Sequence, residues 1–154
     1  MRVEAVKQLL AEHGLSEAYR EFATSSATVE LAAAAAGCEQ GRIAKTLSFK
    51  TSCGPMVVVV MGTAKVDNQK FKKQFGEKAR FPQSEEVEDL IGHPVGGVCP
   101  FAVKQDVKIF LDESLRAFDP VYPAAGATNN AVCISLADLE RITGGAWVDV
   151  CKVE

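Results

Sequence analysis

The sequence has few of the residues that hold metal ions or build disulfide frameworks. It contains two histidines, His13 and His93, and its five cysteines form no Cys-x-x-Cys pair. An odd number of widely spaced cysteines is typical of reduced thiols, and so few imidazoles argue against a zinc site. The sequence therefore predicts a protein without a metal or a cofactor, whose core needs no disulfide.

Long hydrophobic runs are also missing. No run exceeds the six residues of Met56 to Met61, whereas a helix needs about 20 to cross a bilayer. The start of the chain, Met1-Arg2-Val3-Glu4, lacks the apolar run of a signal peptide. We therefore expect a cytoplasmic protein with no membrane contact, and the 154 residues suit a single domain covering 1–154.

Three motifs of covalent or nucleotide-driven enzymes are absent. The sequence has no Gly-x-Ser-x-Gly, no Gly-x-x-x-x-Gly-Lys-Ser/Thr and no Gly-x-Gly-x-x-Gly before a helix. Paired catalytic carboxylates are not indicated either, because the acidic residues between Glu85 and Asp89 are placed to solvate the polar face of one predicted helix.

The charge is weakly negative overall but unevenly distributed. A net charge of −3 excludes a generally cationic nucleic-acid coat, and we predict no DNA partner. Between Lys65 and Arg80, however, basic residues exceed acidic ones by four. Contacts to nucleic-acid phosphates are expected there if anywhere, from Lys70, Lys72, Lys73 and Lys78. An ordinary solvated helix face is an equally good interpretation.

The spacing of apolar and capping residues predicts a mixed α/β fold. The continuous run Val57 to Val60 indicates a strand buried on both faces, at the centre of a sheet. Helices and strands interleave without a strict βαβ rhythm, so we expect a curled mixed sheet or partial barrel flanked by helices. The pattern predicts helices at 3–13, 29–36, 68–75, 85–91 and 136–142, and strands at 19–22, 43–50, 56–61, 101–104, 107–112, 117–122, 131–135 and 146–151.

Two features are candidates for chemistry. The segment 92–100, which we call the glycine loop, reads Gly-His-Pro-Val-Gly-Gly-Val-Cys-Pro and is predicted to have one shape and outward-facing amides that can hold a carbonyl or phosphate oxygen. In the preceding strand 43–50, alternation puts Lys45 on the side of Ile43 and Leu47. An inward ammonium is costly unless an anionic or polar group meets it. The alternative is a lysine that reaches the edge of the sheet.

Three stretches, in order along residues 19–145, resemble the YbaK and prolyl-tRNA synthetase-associated editing domains. They are residues 25–47, which start Ser-Ser-Ala-Thr-Val-Glu and end Ile-Ala-Lys-Thr-Leu; the glycine loop with Phe101; and Ala124-Ala125-Gly126 followed by Ser135 to Leu139. The resemblance implies a barrel-like mixed sheet flanked by helices. It also implies a trans-acting hydrolase that cleaves the ester of mischarged aminoacyl-tRNA.

The resemblance assigns roles to individual residues. Lys45 matches the family's strand lysine before Thr-Leu, which implies that it binds the polar end of the substrate or the phosphate of the terminal adenosine. The glycines and Pro94 of the glycine loop match a loop whose amides line the aminoacyl pocket. We accordingly predict Lys45, Gly96 and Gly97 as catalytic, and Gly92 and Pro94 as substrate-binding. The predicted substrate-binding set also includes Ser26, Thr46, His93 and Asn129. For Thr46 and Asn129 the alternative is a role only in capping or turning the chain.

Two residues of the glycine loop have open alternatives. His93 could act as a general base, but a loop histidine before proline is more often at the rim of a pocket. Cys99 could act as a nucleophile, and a packed thiol is the better interpretation.

The function that follows is removal of a wrong amino acid from tRNA, with tRNA-Pro carrying alanine or cysteine as the leading substrates. An aminoacyl ester is activated enough to be cleaved by a positioned water and backbone oxyanion donors. The predicted partner is the acceptor end of mischarged tRNA, with prolyl-tRNA synthetase as a candidate second partner. The alternative is a non-catalytic module that binds tRNA or an aminoacyl group for a synthetase.

Overall fold

A computed structural model of the chain describes residues 2–153. Within that range the helices and strands alternate irregularly along the chain. In order they are α1 (Arg2–Glu12), β1 (Tyr19–Glu21), α2 (Val29–Ala36), β2 (Ile43–Thr51), β3 (Gly54–Met61), β4 (Ala64–Val66), α3 (Asn68–Phe75), α4 (Ser84–Ile91), β5 (Lys108–Asp112), β6 (Tyr122–Pro123), β7 (Asn130–Val132), α5 (Leu136–Thr143), β8 (Ala146–Val148) and β9 (Cys151–Val153).

The main sheet is mixed and curled, as the sequence predicts. Its five strands lie in the order β6-β2-β3-β5-β8. Strands β2 and β3 form an antiparallel hairpin, whereas the pairings β2–β6, β3–β5 and β5–β8 are parallel. Two smaller antiparallel pairs, β1–β7 and β4–β9, complete the described sheets. The architecture is therefore a mixed α/β partial barrel with helices outside it.

The predicted central strand is confirmed. β3 is the third of the five strands, and the residues from Val57 to Val60 have no exposed surface. Val58 and Val60 pack with Phe71 of α3 on one face, and Val57 packs with Val87 of α4 on the other. A strand covered on both faces has no polar positions, which explains its uninterrupted valines.

Helices α1 and α5 complete the core on the α4 side of the sheet. Val6 and Leu10 of α1 share one buried cluster with Val59 of β3, Leu111 of β5 and Leu139 of α5. Among the described residues no helix is long and apolar enough to span a membrane.

The predicted strand 101–104 is absent and the predicted strand 117–122 is largely absent, because turns and loops take their place. Residues 101–104 form a loop, in which Ala102 has a φ of 54° and the N–H of Lys104 donates to the carbonyl of Ile91. The predicted strand 117–122 begins at Ala117, but this residue ends a 3₁₀ turn that starts at Glu113. Within 117–122 only Tyr122 belongs to one of the strands given above, β6.

One buried carboxylate explains two further differences. Asp112 accepts the N–H of Ser114 at 2.9 Å, which starts the 3₁₀ turn, and the N–H of Val150 at 2.8 Å. The second bond interrupts the predicted strand 146–151, so that β8 and β9 join different sheets. The short strand β4 was not predicted, because three residues leave too little pattern.

The predicted helices are confirmed, and the structure shows what caps their first turns. Thr28, Asp67 and Ser135 cap α2, α3 and α5 through side-chain oxygens that accept backbone N–H groups. For α4 the cap is Gln83, which forms a capping box with Glu86, and Ser84 is the first residue of the helix.

Candidate functional site

A cavity of about 300 Å³ lies along one edge of β2. Its walls are the start of α2, the segment 81–82, the glycine loop and the strands β6 and β7, and its lining is mostly small and apolar. The volume is at the lower end of the range for ligand pockets, which suits a ligand the size of an amino acid. The lining residues are Ser26, Ala27, Thr28, Val29, Ala32, Ile43, Ala44, Lys45, Thr46, Leu47, Ser48, Phe81, Pro82, Val87, Val95, Gly96, Val98, Tyr122, Ala124, Asn130 and Ala131.

The edge of β2 that borders the cavity carries backbone hydrogen-bonding groups. β6 pairs with β2 only at Ile43 and Ala44, and the N–H of Lys50 points to the same edge, where it donates to the carbonyl of Arg80 at 2.8 Å. Alternate residues of an antiparallel strand direct their N–H and C=O groups the same way. The backbone groups of Thr46 and Ser48 therefore face the cavity.

Lys45 lines the cavity, and no described residue serves as its counterion. Alternation along β2 puts it on the α3 side of the sheet, with Leu47 and opposite Val60. Burial lowers its pKa from the ordinary lysine value; nearby Lys65 lowers it further, and Cys151 acts in the opposite direction. None of the ion pairs among residues 2–153 includes Lys45. The site therefore holds a partly desolvated cation that an anionic ligand would stabilise.

Thr46 supplies a second unsatisfied group. It follows Lys45 on β2 and lies on the opposite face of the strand, with Ser48. Its Oγ1 is buried and has no hydrogen-bond partner within residues 2–153. A buried hydroxyl without a partner destabilises the fold, so this atom is placed to bind a polar group of a ligand.

The glycine loop approaches the cavity through only part of its length. Gly92 ends α4 in the left-handed conformation, with a φ of 107°. Gly96, with a φ of 88°, lines the cavity. The N–H of Gly97 donates to the carbonyl of Pro94 at 3.0 Å, and a Cβ at Gly97 would lie 2.7 Å from the backbone N of Ala127. Gly97 therefore packs against the neighbouring loop, and its N–H is already used.

His93 and Cys99 are core residues. His93 has no exposed surface, and its Nε2 lies 2.6 Å from the carbonyl O of Phe101 and 3.5 Å from Sγ of Cys99. Burial raises the pKa of Cys99 to about 12, so the thiol is neutral at physiological pH. The rim position expected for His93 is not found, whereas the packed thiol expected for Cys99 is.

The asparagine at the cavity is Asn130, and the predicted Asn129 is exposed outside it. Asn130 Oδ1 accepts the N–H groups of Ala125 and Ala127 at 3.1 and 3.2 Å, and its Nδ2 donates to the hydroxyl of Tyr19 and the carbonyl of Ala125. Its side chain is thus occupied in shaping the loop that forms one cavity wall.

Of the predicted site residues, the cavity brings together Lys45, Ser26, Thr46 and Gly96. Five predicted residues do not line it: Gly92, His93, Pro94, Gly97 and Asn129. Among the residues outside the predicted set that do line it are Asn130 and Phe81.

The predicted tRNA-binding lysines differ in their environments. Lys70 Nζ lies 3.0 Å from Asp149 Oδ1 and 2.9 Å from the carbonyl O of Cys151. The hydrogen bond to Asp149 is the main cause of its raised pKa. This lysine links α3 to the β8–β9 segment. Lys72, Lys73 and Lys78 are exposed and remain available for phosphates.

The chain is similar to a known protein family and to individual proteins. The model of a family described as the aminoacyl-tRNA editing domain matches residues 23–142. The uncharacterised protein YwhH of Bacillus subtilis is 40% identical over 154 residues, covering 99% of this chain and 98% of that protein. EbsC of Enterococcus faecalis, named as a candidate Cys-tRNA(Pro)/Cys-tRNA(Cys) deacylase, is 25% identical over 151 residues, covering 96% of this chain and 92% of that protein.

A solved structure shares the whole fold. The crystal structure of a candidate trans-editing enzyme for prolyl-tRNA synthetase superposes with a TM-score of 0.88 at 28% identity, covering 98% of this chain and 97% of the other.

Proposed function

The chain belongs to the aminoacyl-tRNA editing domain family, and from this premise we propose that it is a trans-acting deacylase that hydrolyses the ester of a mischarged aminoacyl-tRNA. The observation that carries the proposal is Lys45, a cation that has no counterion within residues 2–153 and lines a small apolar cavity. The cavity accepts the aminoacyl group, and the ammonium pairs with the phosphate or the polar end of the substrate.

The cavity favours a small amino acid. Its volume is about 300 Å³, and part of that space must hold the ester and a water molecule. Alanine and cysteine fit what remains, and a synthetase pocket shaped for proline rejects such smaller side chains by only about 1–3 kcal/mol. The proposed substrate is therefore tRNA-Pro carrying alanine or cysteine. The names of EbsC and of the crystallised relative support this choice.

Hydrolysis in this site proceeds by direct attack of water. Neither His93 nor Cys99 lines the cavity, so neither is positioned as a general base or a nucleophile. The developing oxyanion is stabilised by backbone N–H groups at the cavity edge, for which Thr46 and Ser48 on β2 are better placed than Gly97, whose N–H is engaged. The hydroxyl of Thr46 binds a polar atom of the substrate or orients the water.

The whole chain works as one domain, in the cytoplasm where its substrate is found. Val6 and Leu10 of α1 share a core cluster with Val59 of β3, so α1 is part of the unit that holds the cavity although the family match begins at residue 23.

Substitution of Lys45 tests the proposal. Lys45→Ala should lower kcat/KM for Ala-tRNA-Pro by about 10- to 150-fold, because a hydrogen bond to a charged group is lost, and the variant should still unfold cooperatively. Lys108→Ala, which removes an exposed lysine of β5, is the matched control and should change little. Unchanged deacylation by Lys45→Ala would contradict the assignment.

Recognition of the tRNA body is assigned to the exposed lysines 72, 73 and 78. Neutralising them should weaken tRNA binding and reduce its dependence on salt by about one unit of slope per lost phosphate contact. Hydrolysis of a minimal aminoacyl ester should be unaffected. Unchanged tRNA binding would place recognition elsewhere, for example on a partner synthetase.

A further inference from the structure

An exposed aromatic ring stands at the cavity. Four large hydrophobic side chains are exposed among the described residues, and two of them, Phe81 and Val95, line this cavity with 59% and 57% of their surface exposed. Leaving apolar surface in water is unfavourable. The coincidence of both side chains with one cavity therefore indicates a contact surface for a ligand.

The ring of Phe81 is held in place by packing against Phe49. Its centroid lies 4.9 Å from that of Phe49, with the two planes inclined by 33°, and Phe49 in turn lies 4.9 Å from Phe71 of α3. The backbone before it is anchored to β2 by the hydrogen bond from the N–H of Lys50 to the carbonyl of Arg80, and Pro82 restricts the backbone after it. One face of the ring is packed and the rest is presented to solvent.

We propose that Phe81 is a stacking platform for the base of the terminal adenosine of the tRNA. This inference rests on the proposed function, because the amino acid is esterified to the ribose of that nucleoside. With the ester in the cavity, only the ribose separates it from the base, so the base must lie beside the cavity. The other aromatic residue that lines the cavity is Tyr122, which is less exposed and whose hydroxyl interacts with Cys133.

The substrate's nucleoside must also be bound, and neither Lys45 nor the cavity is proposed to bind its base. Base–aromatic contacts depend on a flat π surface and not on particular hydrogen bonds, so a fixed phenylalanine can hold the nucleoside while the cavity selects the amino acid. Phe81 is accordingly a binding and positioning residue, and it takes no part in breaking the ester bond.

The test compares two substrates that differ in the presence of the base. Alanyl-adenosine carries the nucleoside, and alanine ethyl ester does not. Phe81→Leu should lower kcat/KM for alanyl-adenosine by about 5- to 150-fold and leave that for the ethyl ester unchanged, while Phe81→Trp should retain activity on both. Val153→Ala, which alters an exposed side chain outside the cavity, should change neither. Equal losses on both substrates, or no loss on either, would overturn the inference while leaving the proposed function in place.

A binding measurement separates this inference from the proposed function. The probe is 3′-alanylamino-3′-deoxyadenosine, in which an amide replaces the ester, and its binding is measured by calorimetry with thermal unfolding as a check on folding. If the native protein hydrolyses no aminoacyl ester, the proposed function fails. Phe81 still stands as a nucleoside platform if Phe81→Leu weakens binding of the probe at least fivefold. Absence of binding to the native protein, or equal binding to the folded variant, would refute it.

Discussion

Replacing Gly97 by alanine should damage the fold rather than the chemistry. A Cβ at this position would lie 2.7 Å from the backbone N of Ala127 and 2.8 Å from the carbonyl C of Gly126, and backbone atoms cannot rotate out of the way. Overpacking of this kind costs about 1–3 kcal/mol. The displaced Ala127 also donates to Asn130 at 3.2 Å, a bond worth about 0.5–1.5 kcal/mol. We expect Gly97→Ala to lose about 2–4 kcal/mol of stability.

Two other glycines separate the cost of a left-handed backbone from the cost of a steric clash. Gly76 has a φ of 76° and open space around its Cβ position, so Gly76→Ala reports only the left-handed backbone, at about 1–2 kcal/mol. Gly96 has a φ of 88°, and a Cβ there would lie 3.0 Å from Thr128 Cγ2 and 3.3 Å from Ala27 Cβ. Both neighbours are on exposed residues, which can shift by the few tenths of an ångström required. Gly96→Ala should therefore resemble Gly76→Ala in stability but lose deacylation, because Gly96 lines the cavity.

Two measurements on the three variants distinguish a packing role of Gly97 from a catalytic one. They are urea denaturation and the deacylation rate per folded molecule. The expected order of destabilisation puts Gly97→Ala first, with Gly96→Ala and Gly76→Ala close together. A Gly97→Ala variant as stable as Gly76→Ala but catalytically inactive would refute the reasoning, since that result is expected if Gly97 supplies an oxyanion donor.

Three further predictions concern single side chains at or near the cavity. Thr46→Val removes a buried hydroxyl without a partner among residues 2–153, so urea denaturation should show stability unchanged or raised by up to about 2 kcal/mol, while the KM for aminoacyl-tRNA rises; a clear loss of stability would contradict this. Cys99, whose pKa burial raises to about 12, should resist iodoacetamide at pH 8 until the protein unfolds, whereas exposed Cys53 reacts at once; mass spectrometry distinguishes the two. Because the pKa of Lys45 is lowered, the unfolded chain binds more protons than the folded chain just below the ordinary lysine pKa of about 10.4, so this residue makes stability rise with pH in that window. Lys45→Met should remove that contribution, and an unchanged slope of stability against pH would contradict it.

The parts of the fold that could be predicted from sequence are those encoded by neighbouring residues. Asp67 and Ser135 cap their helices through bonds to N–H groups two or three residues away, and the valines of β3 show its burial directly. The strand predicted at 146–151 is found at 146–148 and at 151, and its interruption was not predictable because it depends on Asp112, which binds the N–H of Val150 from 38 residues away. No local pattern contains such a bond.

The residues of the candidate site also divide into those that a local sequence pattern predicts and those that it does not. Lys45 and Thr46 could be found because their strand has a clear period, and both line the cavity. The sequence does not separate the predicted Asn129 from Asn130, because a one-residue shift in the start of a strand reverses which side chain faces inward, and the structure places Asn130 at the cavity. Phe81 was missed because it lies between helices, where no period marks its neighbours.

The most direct measurement of the central claim is release of the amino acid from a panel of mischarged tRNAs by catalytic amounts of the protein. We predict multiple turnovers on tRNA-Pro carrying alanine or cysteine, no cleavage of Pro-tRNA-Pro, and loss of turnover in Lys45→Ala. Binding of these tRNAs without release of any amino acid would contradict the account and identify the protein as a non-catalytic module.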